Sequence, residues 1–173
     1  MGADIHVFIE YRYRKESLKS RGWESFHEDG KLSLGRDYDL FTALSGVRNF
    51  DEDFKELIPP RGLPQDIAGN AFSFFYDRVL EEPDAQPVNA FCEYILRSDV
   101  KPEAVVITRR GFEYVLKEDF HSCSYLSLEE IYACLEHAEL LLERTDIWFQ
   151  AAVAAMAKLD EYLDVRLVFG FDN

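Results

Sequence analysis

Asp4-Ile5-His6-Val7-Phe8-Ile9-Glu10-Tyr11-Arg12-Tyr13 alternates with a period of two. Ile5, Val7, Ile9, Tyr11 and Tyr13 fall on one face, and Asp4, His6, Phe8, Glu10 and Arg12 on the other. Successive side chains of a strand point to opposite faces, so the pattern predicts a strand half-buried on a core. Near the other end of the sequence, Val165 to Phe171 predicts a closing strand. Strands at both ends with helices between them predict an α+β fold. The expectation is one domain over residues 1–173, with a small, mostly antiparallel sheet that includes both terminal strands and is packed by several helices. Pairing of those two strands would bring Asp172 close to the first.

Between them, Trp23 to His27 predicts a short strand, and Asp29-Gly30 a turn. A helix is expected from about Tyr38 to Ser45, with Asp37 as its cap and Gly46 as its stop. Residues 51–66 are broken by prolines and glycine and predict irregular chain. Helices are expected at about Ala71–Glu82 and Val88–Arg97. Strands at Ala104–Thr108 and Phe112–Lys117 would join through Arg109-Arg110-Gly111. Ser127 and Glu130 form a capping box that starts a helix running to about Arg144. Thr145 or Asp146 caps another, to about Tyr162, with Trp148, Ala152, Ala155, Leu159 and Tyr162 on one face.

The chain has 173 residues, 47% of them hydrophobic, which excludes a disordered chain. Its net charge is −14. Residues 1–50 hold 8 basic and 8 acidic side chains, so the whole surplus lies after residue 50. Such a field repels nucleic acid and anionic membranes and favours a partner with a basic surface. Cys92, Cys123 and Cys134 are odd in number and lack paired spacing, which fits a reducing cytoplasm. The N-terminus carries no signal pattern, and Ile147 to Leu159 is too short to span a bilayer.

Four groups of residues carry candidate chemistry. Arg36, Arg48 and Arg61 each sit beside glycine, proline or asparagine where the backbone turns. With Asn49, Asp66, Ser122 and Ser124 they would form a pocket for an anionic, nucleotide-like ligand, because guanidinium forks bind oxyanions with two bonds each. His121 would supply acid–base work there, beside Ser122, Cys123 and Ser124. Asp4, His6, Asp119 and His121 are oxygen and nitrogen donors suited to a divalent metal, although their spacing matches no metal signature and no cofactor is required by it. Glu129, Glu136, Glu139 and Glu143, at helical spacings, would form an acidic stripe, to which Asp51, Glu52 and Asp53 add a cluster.

Five segments together resemble a family. They are Asp4-Ile5-His6, Arg36-Asp37-Tyr38-Asp39-Leu40-Phe41, Gly46-Val47-Arg48-Asn49, Arg61-Gly62-Leu63-Pro64-Gln65-Asp66 and His121-Ser122-Cys123-Ser124. The chain resembles a set of uncharacterised small proteins of bacteriophages, prophages and some bacterial genomes. The likeness covers the first 66 residues and the His-Ser segment, and leaves residues 68–117 as an elaboration of this chain. It implies a phage-type accessory protein in the host cytoplasm, acting by stoichiometric binding to a host protein rather than by catalysis. A counter-defence inhibitor with an acidic surface is one such role. The alternative is a small enzyme or ligand binder built on the three arginines and His121. Self-association is the third expectation.

Overall fold

The structure is a computed structural model, and it describes residues 2–27, 31–81 and 93–172. Its first sheet is ordered β2-β1-β9-β8, with β3 also on β1. These strands are β1 (Asp4–Tyr13), β2 (Glu24–Ser25), β3 (Lys31–Ser33), β8 (His121–Ser127) and β9 (Leu163–Asp172). β1 and β9 pair antiparallel over their whole length, from Asp4↔Asp172 to Tyr13↔Leu163. A second sheet, ordered β5-β4-β7-β6, is built from β4 (Tyr76–Leu80), β5 (Tyr94–Leu96), β6 (Val106–Arg109) and β7 (Phe112–Leu116). Only β4 and β5 among these pairs run parallel. The fold is therefore α+β, with both terminal strands in one mostly antiparallel sheet.

The first sheet is covered on both faces, where the sequence predicts one. Residues Ile5 to Glu10 are all buried. Ile5, Val7 and Ile9, with Leu167, Phe169 and Phe171, form the larger core. Against it lie α2 (Tyr38–Ser45), α4 (Leu128–His137) and α5 (Ile147–Asp160). Phe8 and Val168 on the opposite face belong to a second core with Phe72, Phe75 and Tyr76. That core is closed by α3 (Gly69–Phe75) and the second sheet. Gly170 makes the close approach of α3 workable: a Cβ there would lie 2.8 Å from Cys123 Sγ and 2.9 Å from Phe75 Cε1. Burying a ring such as Phe75 contributes roughly 1.5–3 kcal/mol.

Several element expectations hold. Asp37 caps α2 by accepting from the Leu40 amide, and Gly46 ends it at φ 65°. The Ser127–Glu130 capping box is present, and Asp146 caps α5 by accepting from the Trp148 and Phe149 amides. Others are corrected. The helix expected over 71–82 ends at Phe75 and becomes β4 without a loop. The helix expected over 88–97 is strand at Tyr94–Leu96, its earlier part lying outside the described residues, as does the Asp29-Gly30 turn. α4 stops at His137, not Arg144. Glu139 takes φ 52°, the Leu140 amide donates to Leu135 and the Glu139 amide to Glu136. Those two bonds close the helix end in a Schellman motif. On α5 the buried face is Phe149, Ala152, Val153 and Met156, whereas Trp148 and Tyr162 are exposed. A short α1 (Glu16–Lys19) follows β1.

Candidate functional site

A cleft of about 540 Å³ opens between the two sheets. One wall comes from the chain before β2 and the segment leading into α3: Arg21, Trp23, Asp66 and Ile67. The other comes from the second sheet: Arg78, Arg109, Arg110, Phe112 and Tyr114. Registers Arg78↔Tyr114 and Arg109↔Phe112, with side chains alternating along each strand, put these groups on the face that meets α3. Asp77 and Glu113 fall on the other face.

The guanidinium groups are held by rings. Arg78 stacks on Phe112, its Cζ 3.8 Å from the ring centroid, and Arg109 stacks on Phe72 at 4.3 Å. Arg109 also donates to the Ile67 carbonyl at 3.0 Å, which ties the two walls together. The buried Nε of Arg78 has no hydrogen-bond partner among the described residues. Arg110 sits at φ 51° and Gly111 at φ 81°, so the β6–β7 hairpin turns through two left-handed residues. Asparagine, aspartate or glycine normally fills the first of them. An exposed arginine there accepts backbone strain to occupy the rim.

The opposite wall is fixed by a triad in which Glu10 and Arg166 are buried and Asp66 is exposed at the cleft. Arg166 donates through Nε to Glu10 at 2.8 Å, through Nη1 to Asp66 Oδ1 at 2.8 Å and through Nη2 to the Asp66 carbonyl at 3.2 Å. Asp66 Oδ2 accepts from the Trp23 indole N–H at 2.9 Å. Burial pushes the Asp66 carboxyl up, but the bonds from Arg166 and Trp23 outweigh it and hold it below the usual range. Burial raises the Glu10 carboxyl, against the opposing pull of Arg166 and the Ala68 amide. The triad nets one negative charge, against four guanidinium groups lining the cleft.

The residues singled out in sequence are distributed as follows. Arg36 forms a two-pronged ion pair with Asp4, at 2.6 and 3.0 Å. Arg61 forks onto Glu130 at 2.9 Å twice, donates to the Tyr125 carbonyl and stacks on the Tyr125 ring. Its amide donates to the buried Ser124 hydroxyl. Arg48 is half-buried at φ 58°, and Asn49 braces its loop by donating to the Phe54 carbonyl and accepting from the Asp51 amide. Asp66 is the member of that set that lines the cleft.

His6 donates to Asp172 at 2.8 Å, the neighbour expected from paired terminal strands. His121 registers with Phe171, one residue earlier, and stacks on it, which puts it on the other face of the sheet from His6. Asp119 lies in the exposed turn before β8. Among the described residues no three His, Cys, Asp or Glu side chains are grouped to hold a metal ion. His121 Nδ1 lies 3.1 Å from the Ser122 hydroxyl. The Cys123 thiol is buried and pushed up to about 12, so it is protonated and inert at neutral pH.

Glu129, Glu136, Glu139 and Glu143 are all exposed, but they do not share one helix. Glu139 belongs to the helix stop and Glu143 to a 3-10 turn over Leu142–Arg144. Asp51, Glu52 and Asp53 are exposed in their own loop. A second depression of about 500 Å³ lies between Gly35–Asp39 and Arg144–Asp146, and several of its lining groups are already engaged. There Asp37 and Asp146 cap helices and Arg36 holds Asp4.

Arg78, Arg109, Arg110, Trp23, Phe112 and Tyr114 were not singled out from the sequence. The signal that marks Arg36, Arg48 and Arg61, an arginine where the backbone must turn, is present equally in Arg109-Arg110-Gly111. No described helix is long and apolar enough to cross a membrane. The chain matches no protein-family model, no curated protein and no solved structure, so its function rests on the chemistry of the cleft itself.

Proposed function

We propose that the protein binds a small anionic ligand in the cleft between its sheets. The observation that carries this reading is the gathering of Arg21, Arg78, Arg109 and Arg110 around one concavity, in a chain with 33 acidic and 19 basic residues. Two of the four lie over aromatic rings, which hold their guanidinium groups at the cleft. The volume lies within the range of small-molecule sites, roughly 300–1,000 Å³. The arginines of this ligand-binder reading are those of the second sheet together with Arg21. Mass spectrometry of the purified protein, native and then denatured, tests it. The expected result is an excess mass lost on denaturation and absent from the Arg78→Gln/Arg110→Gln variant. A bare native mass, together with no thermal shift from phosphate or pyrophosphate, would refute the proposal.

A second reading is stoichiometric binding to a host protein with a basic surface, as the phage-type resemblance implies. It is favoured by Leu141, Ile147 and Trp148, exposed at 58%, 66% and 63%, along the connection from α4 into α5 that also carries the exposed Glu139 and Glu143. Gln150 reaches back to the Glu143 and Thr145 carbonyls, which ties the first turn of α5 to that connection. Charge reversal at Glu136, Glu139 and Glu143 is expected to release proteins captured at low salt while the melting temperature holds. Capture unchanged by the reversal sinks this reading.

A further inference from the structure

The two walls of the cleft offer different chemistry. Trp23 is half-buried and lines the cleft with an indole that offers no donor, because its N–H is taken by Asp66. Asp66 in turn is taken by Arg166, so it offers no free carboxylate. The guanidinium of Arg166 lies 3.9 Å from the Trp23 ring centroid and that of Arg12 4.8 Å, fixing the ring in place. Arg78, Arg109 and Arg110 line the other wall and make it cationic. Inorganic phosphate would satisfy the second wall and leave the first empty. A ligand that satisfies both has a flat apolar ring at one end and an oxyanion at the other.

We propose that this ligand is a mononucleotide, its base against the Trp23 wall and its phosphate on Arg78, Arg109 and Arg110. The proposal rests on the reading of the cleft as an anion site and narrows it. A nucleic-acid strand is disfavoured by the rest of the molecule: its phosphates outside the cleft would face a chain of net charge −14. A single nucleotide fits within the cleft and escapes that repulsion. Selection of a free nucleotide over a strand is then set by the distribution of charge as much as by the pocket.

The test is titration calorimetry of the whole protein with four probes: AMP, ribose 5-phosphate, pyrophosphate and a single-stranded oligonucleotide. GMP, CMP and UMP replace AMP in turn. Base stacking on an aromatic ring predicts that at least one nucleotide binds about tenfold or more tightly than ribose 5-phosphate. Trp23→Leu is expected to erase that margin while pyrophosphate binding persists, and Arg78→Gln to weaken both. The wild-type comparison stands even where Trp23→Leu fails to fold. Equal affinity for the nucleotides and ribose 5-phosphate would overturn the nucleotide assignment and leave the anion site standing. Tighter binding of the oligonucleotide than of any mononucleotide would overturn it as well. No binding of any probe up to about 1 mM, the weak end of specific recognition, would overturn both the site and its assignment.

Discussion

Arg166 is 6% exposed and Glu10 is fully buried, so the pair is held far from water at the centre of the first sheet. A buried pair of this kind contributes little net stability, but breaking it leaves an uncompensated charge. Arg166→Met is therefore expected to cost about 3–5 kcal/mol in urea unfolding. The double variant Glu10→Leu/Arg166→Met is expected to recover most of that loss. A loss under about 1 kcal/mol in the single variant would show that water reaches Glu10. Neither partner is legible as buried in the sequence. Alternation places Glu10 on the polar face of β1, and only Phe8 beside it hints that this face is covered too. Arg166 sits within an apolar run, where its partner is set by the β1–β9 register and not by anything local. Asp66 stands out in the sequence because it ends a turn-rich segment. Its role as a pin for Trp23 depends on a contact across 43 residues.

At the scale of elements, boundaries carried by local chemistry are readable and those carried by tertiary contact are not. α2 begins and ends on its own cap and glycine, and α4 begins on its own capping box. The end of α4 has no glycine: Glu139 takes the left-handed position, so nothing in the sequence marks the stop. The change from α3 to β4 has a similar cause. Gly69–Phe75 has few strong helix formers, and Tyr76 leaves the helix because Tyr76 to Arg78 pair with Leu116 to Tyr114. On α5, Trp148 and Phe149 are neighbours of comparable size. A stripe anchored on Trp148 and one anchored on Phe149 both contain Ala152. Packing on β9 selects Phe149 and leaves Trp148 outside. The cleft is hardest to read, since its two walls come from sequence regions joined only by docking of the second sheet. The strands of that sheet are drawn from residues 76–116.

For the whole molecule, stability in acid is governed by carboxylates whose partners are arginines. Asp66, Glu130 and Asp164 are each pushed up by burial and pulled further down by arginine hydrogen bonds, ending below their ordinary values. The unfolded chain then binds more protons than the folded one as pH falls, so the stabilisation is complete above about pH 4 and is lost through the lowered folded values. Glu10 and Asp77, raised first by burial, act in the opposite sense: their contribution is present in acid and fades as pH rises through their folded values. The melting temperature is expected to fall below about pH 4, and less steeply in Asp66→Asn than in the wild type. The comparison with Asp66→Asn isolates the arginine-held carboxylate from the general relief of self-repulsion in so acidic a chain. A melting temperature constant down to about pH 3 would count against this assignment. The pairing of β1 with β9 has one more consequence, and it concerns synthesis. Residues 4–13 leave the ribosome long before residues 163–172, yet each is the other's partner across the middle of the sheet. One edge of the first strand must therefore wait, unpaired and open to chaperones or to a neighbouring nascent chain, until translation has reached the last.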